Sequence, residues 1–187
     1  QPLEIVSSGP GARISWDTRN NLMNPSEGFR ANLNVDTSMK SMGGDRDYEL
    51  YKASYSHYFD LQENRVLATR VTGCAASSEA PFYDICLFGS NKALRGYVGG
   101  EYRDNRMVTM EAEYRWRFTE RFGMVAFAGV GQVGSSFDEM GSGNKYLSGV
   151  GGGVRLLAAK GNKANFSIDG AKVENSDALY CYIGEAF

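Results

Sequence analysis

Hydrophobic and polar residues alternate with a period of two along much of this sequence. Between residues 106 and 118, one set of alternate positions is apolar: Val108, Met110, Ala112, Tyr114, Trp116 and Phe118. The positions between them carry Thr109, Glu111, Glu113, Arg115 and Arg117. Residues two apart share a face of a strand but lie on opposite sides of a helix. The segment is therefore predicted to be a β-strand with one apolar and one charged face.

The same alternation predicts seven further strands. All eight segments are 29–39, 51–59, 67–71, 106–118, 122–133, 149–156, 165–169 and 178–187. Short connections alternate with long ones, which is typical of outer-membrane barrels, and a tilted strand of about 9 to 11 residues crosses a bilayer. The predicted fold class is all-β: an antiparallel transmembrane β-barrel of about eight strands over residues 28–187.

Residues 1–27 form a separate amino-terminal segment in this prediction. Residues 12–19 also alternate, so a ninth strand is available before the turn at residues 20–28. Nine strands would leave the two ends of the chain on opposite sides of the sheet. The segment is an extra edge strand, a plug or a region that contacts a partner.

Composition helps to choose between a membrane barrel and a soluble sandwich or lipocalin-like barrel, whose strands also alternate. The chain has 23 glycines, 11 tyrosines and 10 phenylalanines, but its mean hydropathy is only −0.37. Aromatic residues near strand ends match the girdles of membrane barrels, and glycine suits a crowded barrel interior. The net charge of −2 argues against a nucleic-acid partner.

Few residues in the sequence are candidates for catalysis, disulfide formation or metal binding. His57 is the single histidine and no G-x-S-x-G motif is present, so we expect no enzyme activity and no cofactor. Of the three cysteines, Cys74 and Cys86 are predicted to form a disulfide across a short loop, with Cys181 free in the last strand. The alternative of a metal site lacks C-x-x-C spacing and a histidine partner, so no metal is expected.

Several short motifs resemble the carboxy-terminal barrel of the outer membrane protein 85 superfamily, the bacterial surface antigens. The sequence Trp-Asp-Thr-Arg-Asn at 16–20, followed by Pro25 and Gly28, is similar to a strand-turn-strand of that family. Leu94, Arg95, Gly96 and Tyr97 are similar to its best-known loop motif. Further resemblances follow in the same order at 113–115, 149–155, 167–171 and 183–187. The order and spacing of these motifs are more specific than any one of them.

The resemblance implies that the loop carrying Arg95 folds back into the barrel. There Arg95 is expected to contact Glu111, Glu113 or Asp169, because the acidic residue that the family normally offers is replaced here by Gly129. An unpaired arginine inside a barrel would be costly. The alternative is that Arg95 is a solvated loop residue.

The resemblance also implies a function in the bacterial outer membrane, in a compact member without periplasmic repeats. The leading hypothesis is protein translocation or membrane insertion through the barrel seam, with a membrane-protein or lipid client, outer-membrane lipid around it and a homodimeric state. The rival is a small structural or loop-presenting envelope barrel. The lumen of about eight strands is filled by side chains. The predicted charged filling is Arg30, Asp36, Lys52, Arg70, Glu111, Glu113, Arg115, Arg117, Arg155 and Asp169.

Overall fold

The computed structural model describes residues 5–89, 93–142, 146–159, 164–174 and 176–187. This part of the chain is mostly β-strand. Its strands are β1 (Gly11–Asp17), β2 (Gly28–Ser38), β3 (Tyr48–Asp60), β4 (Arg65–Ala76), β5 (Cys86–Phe88), β6 (Tyr102–Asp104), β7 (Arg106–Arg117), β8 (Phe122–Gly134), β9 (Leu147–Ala159), β10 (Ala164–Val173) and β11 (Asp177–Ile183). The helical elements are a 3₁₀ turn (Lys40–Met42) and α1 (Phe137–Ser142). Neither is long and apolar enough to cross a membrane.

Nine of these strands form one antiparallel sheet in the order β1-β2-β3-β4-β7-β8-β9-β10-β11. Every neighbouring pair is antiparallel, and β5 pairs with β6 outside this sheet. Within the described residues, β1 and β11 each pair with a single neighbour, so both present a free edge. The expectation of about eight strands in a closed barrel therefore differs from the structure. Residues 11–17 add a ninth strand because they pair with residues 30–36.

The two faces of the sheet divide as the alternation predicts. Met110, Val150 and Leu179 point away from the concave side and are 56%, 56% and 74% exposed. The concave side instead buries charged residues, such as Glu111 and Asp169. A sheet that exposes apolar residues and buries charged ones is inverted relative to a soluble protein, as expected for strands that face lipid.

The connections differ at the two ends of the sheet. At one end, the turn end, lie residues 18–27, 61–64 and 118–121; at the other, the loop end, the connections include 39–47 and 77–105. The predicted short connection at 160–163 lies outside the described residues. Residues 77–105 are here called the inner loop; they contain β5 and β6, and their described parts, 77–89 and 93–105, enter the concave side of the sheet.

Apolar side chains of the inner loop close the loop end. Phe88 and Leu94 are fully buried and pack with Met107 and Leu147 of the surrounding strands. Rings of Phe88 and Tyr97 meet edge to face at 5.2 Å. These five residues, here called the loop plug, separate the charged interior from the loop end.

Candidate functional site

The tip of the inner loop is fixed deep inside the sheet. Gly96 has a φ of +108°, and a Cβ there would lie 2.3 Å from Cγ1 of Val173, so glycine is required on both counts. Its backbone N–H donates to the Tyr180 hydroxyl at 2.9 Å, and the Tyr97 hydroxyl donates to the Ser148 carbonyl at 2.9 Å. Burial raises the pKa of the Tyr97 phenol above its ordinary value, so Tyr97 stays a donor.

Arg95 extends from this tip into a cluster of carboxylates. Its guanidinium is fully buried and lies 2.6 Å from Glu113, 2.8 Å from Asp169 and 3.0 Å from Glu111. It also sits 3.5 Å from the centre of the Phe127 ring, a cation–π contact. Burial on its own would lower the pKa of Arg95, but the three carboxylates raise it above its ordinary value. All three residues named as candidate partners therefore surround Arg95.

Two more arginines complete the cluster. Arg115 Nε lies 2.6 Å from Glu113 Oε1. Arg155 contacts Asp169 and places its Nε 2.6 Å from Glu185 Oε2. Each carboxylate in this set is thus shared between neighbouring cations, which is how a low-dielectric interior accommodates several charges.

The last four residues leave the strand and fold into the concave side, which the alternation does not predict. The predicted strand 178–187 ends at Ile183, because Gly184 adopts a φ of +97°. Glu185 then donates its N–H to the Met23 carbonyl at 3.1 Å. Arg70 stacks on the Phe187 ring at 4.4 Å. The sequence marks this turn only by the glycine before a charged residue, which is a weak signal.

Gly129 shows why an acidic residue cannot occupy that position. A Cβ there would lie 2.3 Å from Leu94 Cδ1 and 2.8 Å from the Met110 carbonyl oxygen. The inner loop therefore packs against bare backbone on β8. The anionic partners come instead from β7 and β10, through Glu111, Glu113 and Asp169.

Some predicted interior residues lie apart from the cluster. Asp36 and Lys52 are on the concave side of β2 and β3 but are exposed. Arg30 is also exposed, and Arg117 donates a hydrogen bond to Asn165 Oδ1 at 3.1 Å. The charged interior is thus concentrated under β7 to β11.

The cysteines pair as their spacing predicts, and His57 and Cys181 lie on the outward face that the alternation predicts. Cys74 and Cys86 form a disulfide with a Cα–Cα distance of 5.7 Å, which joins β4 to β5, while Cys181 is free and exposed on β11. His57 lies on the outward side of β3, where Nδ1 is 2.7 Å from the Tyr55 hydroxyl and the ring stacks on Phe59 at 4.2 Å. His57 therefore sits in an outward aromatic patch.

Comparison with known proteins identifies the family. A model of the Omp85 superfamily domain matches residues 8–187, which include β1. The chain belongs to the Omp85 superfamily. Among solved structures, it is similar to the crystal structure of BamA from Haemophilus ducreyi lacking POTRA domains 1-3, with a TM-score of 0.70 and 19% identity. The similarity covers 92% of this chain and 41% of that one. A search of curated proteins gave no match.

Membership confirms the resemblance and places this Omp85 domain in the bacterial outer membrane. The outward apolar residues therefore face lipid. The superfamily is one of outer-membrane assembly and translocation rather than of enzymes. At 19% identity the similarity to the solved structure shows the fold alone.

Proposed function

We propose that this Omp85 domain acts at the free edges of its sheet on strands of a membrane-protein client, and not through its lumen. The observation that carries the proposal is that, in the described part of the chain, β1 and β11 each pair with one neighbour and leave their other edge open. An edge strand offers a row of backbone N–H and C=O groups, which an incoming strand can pair with. In a bilayer these groups lack water as an alternative partner, so the gain from pairing is large.

The parity of the sheet supports this mode of action. Neighbouring strands alternate in direction, so β1 and β11, the first and ninth in the sheet, run the same way. They cannot form an antiparallel pair with each other. A single strand added between them can pair antiparallel with both β1 and β11, and so can any odd number of added strands. The edges are therefore suited to receive a strand from outside this segment.

The charged cluster and the loop plug lie across the concave side and argue against a continuous conduit beneath β7 to β11. We propose that the motif Leu94, Arg95, Gly96 and Tyr97 holds the inner loop in place. Arg95 does so through Glu111, Glu113 and Asp169, Gly96 through the Tyr180 hydroxyl, Tyr97 through the Ser148 carbonyl and Leu94 through apolar packing. The loop plug then closes the loop end above them. Conduction through this region would require the charged cluster to separate, and each unpaired buried charge is costly.

Crosslinking from the edges tests the proposal. The probe is a small denatured outer-membrane β-barrel protein that carries one cysteine in its last strand, added to liposomes containing this domain. Native Cys181 on β11 is exposed and free, and Ile14→Cys in a Cys181→Ala background supplies the equivalent position on β1. We expect disulfide-linked adducts from both positions during insertion.

The matched control places the cysteine away from the edges. Met110 lies on central strand β7 and is 56% exposed on the same lipid-facing side, so Met110→Cys with Cys181→Ala reports random collision. Equal adduct yields from Met110→Cys and the edge positions would contradict the proposal. That outcome would favour the rival function, a structural or loop-presenting envelope barrel.

We also propose that the domain is a homodimer in which outward aromatic residues form the contact and the amino-terminal segment bridges or caps it. Trp16 on β1 is 66% exposed and meets Phe29 edge to face at 5.5 Å, so an apolar surface is present at this edge. Closed two-fold pairing is the commonest oligomeric arrangement. Deleting residues 1–20 is expected to convert dimer to monomer without loss of the β signal. Native mass spectrometry from mild detergent measures this, and monomer alone for the undeleted chain would refute it.

A further inference from the structure

A second group of arginines lies on the concave side, away from Arg95. Arg19, Arg30 and Arg70 line a cavity of about 310 Å³ on β2 to β4. The same cavity is lined by the hydroxyl groups of Ser54, Ser56 and Tyr58 and floored by the last residues of the chain. Neither the inner loop nor its charged cluster fills this space.

Strand register sets the spacing of the cavity's charged groups. Arg30 on β2 is opposite Ser56 on β3, and Ser56 is opposite Arg70 on β4. Adjacent strands are about 4.8 Å apart, so the two arginines rise from backbones about 10 Å apart with a serine between them. Two long guanidinium side chains at that spacing can converge on one small group.

The carboxylates beside the cavity leave Arg30 available. Asp17 accepts two hydrogen bonds from the Arg19 side chain, at 2.9 and 2.7 Å, whereas Arg30 Nε lies 3.9 Å from it. The Arg30 side chain is 46% exposed. On the other side, Glu111 is nearer to Arg95, at 3.0 Å, than to Arg70, at 3.6 Å. Among the ion pairs described around this cavity, that of Arg30 is therefore the longest and most exposed, and the buried Arg70 lies beside it in an ion pair with Glu111.

We propose that this cavity binds a phosphate group, as a free anion or as part of a lipid headgroup. The planar guanidinium fork matches phosphate oxygens in two parallel hydrogen bonds, and such charge-assisted bonds are about twice as strong as neutral ones. The serine and tyrosine hydroxyls add neutral donors around the same space. Arg19 belongs to the connection 18–27, so the cavity is reached from the turn end.

The test uses the full chain in an uncharged detergent and two probes. Inorganic phosphate is titrated by calorimetry, and phosphatidylglycerol in mixed micelles is compared with diacylglycerol, which lacks phosphate. Saturable binding of inorganic phosphate points to a free anion, whereas saturable binding of phosphatidylglycerol alone points to a headgroup. Binding is expected to weaken as salt is raised.

A matched pair of variants locates the site. Arg30→Gln removes the exposed guanidinium and is expected to weaken binding at least about tenfold, the loss expected for a charge-assisted bond. Arg65→Gln is the control, because Arg65 is similarly exposed at 43% and ion-paired to Glu63, but lies outside the cavity. Ser56→Ala keeps every charge and is expected to weaken binding by a smaller factor. This second variant still tests the cavity if Arg30→Gln does not fold. Absence of binding by both probes, or equal affinity of Arg30→Gln and Arg65→Gln, would overturn the proposal.

Discussion

Replacing Arg95 with alanine is expected to lower the free energy of unfolding of this Omp85 domain by about 3 to 5 kcal/mol. The substitution removes one cation from a site that is sealed from water and leaves its carboxylate partners in place. Removing one member of a buried ion pair costs more than the pair contributes, because the remaining charge is left uncompensated.

The cost falls unequally on the three carboxylates. Glu113 keeps Arg115 at 2.6 Å and Asp169 keeps Arg155, but Glu111 is left with Arg70 at 3.6 Å among its ion-pair partners in the described structure. Adding Glu111→Gln to Arg95→Ala removes that uncompensated charge. The double variant is therefore expected to be more stable than Arg95→Ala alone.

Urea unfolding in lipid or detergent, followed by the fluorescence of the two tryptophans, measures these effects. Arg103→Ala is the matched control, since Arg103 belongs to the same loop but is exposed and binds only the Gly100 carbonyl among the contacts described. It should change stability by less than about 0.5 kcal/mol. If Arg95→Ala is as mild as Arg103→Ala, the cluster does not hold the loop.

Much of the sheet could be predicted from the sequence because one physical rule sets it. A strand between lipid and a polar interior must alternate, so Met110 and Glu111 fall on opposite faces whatever their neighbours are. The same rule pointed Glu111, Glu113 and Asp169 inward. Placing Arg95 beside them needed the family resemblance, since no periodicity governs a loop.

The open edges and the folded-in tail could not be predicted in this way. Alternation assigns the two faces of a strand but does not say which strand lies beside which. The segment that contains β1 could therefore be an extra edge strand, a plug or a region that contacts a partner. An antiparallel sheet can close on itself only if its number of strands is even, and a single added strand changes an even number to an odd one. The tail departs from alternation at Gly184, where a backbone conformation that favours glycine turns Glu185 toward Arg155. A lone glycine in an apolar strand gives too weak a signal for that turn.

Removing the disulfide is expected to have the second largest effect on stability. Cys74→Ser with Cys86→Ser opens a loop of sequence separation 12, which costs about 3 kcal/mol in the chain-entropy model. Both cysteines are buried beside the loop plug, so the serine hydroxyls add a small desolvation cost. Cys181→Ser is the control, because Cys181 is free and exposed on β11, and it should leave the unfolding midpoint nearly unchanged.

The position of the disulfide predicts where the effect is felt first. It ties β5 of the inner loop to β4, while Arg95 ties the tip to β7 and β10. We expect either attachment alone to keep the loop inside the sheet, so each single loss should leave hydrogen exchange slow at residues 93–97. With both lost, exchange there should rise sharply, and the combined destabilisation should exceed the sum of the two because they restrain one segment. Simple additivity, with residues 93–97 still protected, would show that the loop plug holds the inner loop without either attachment.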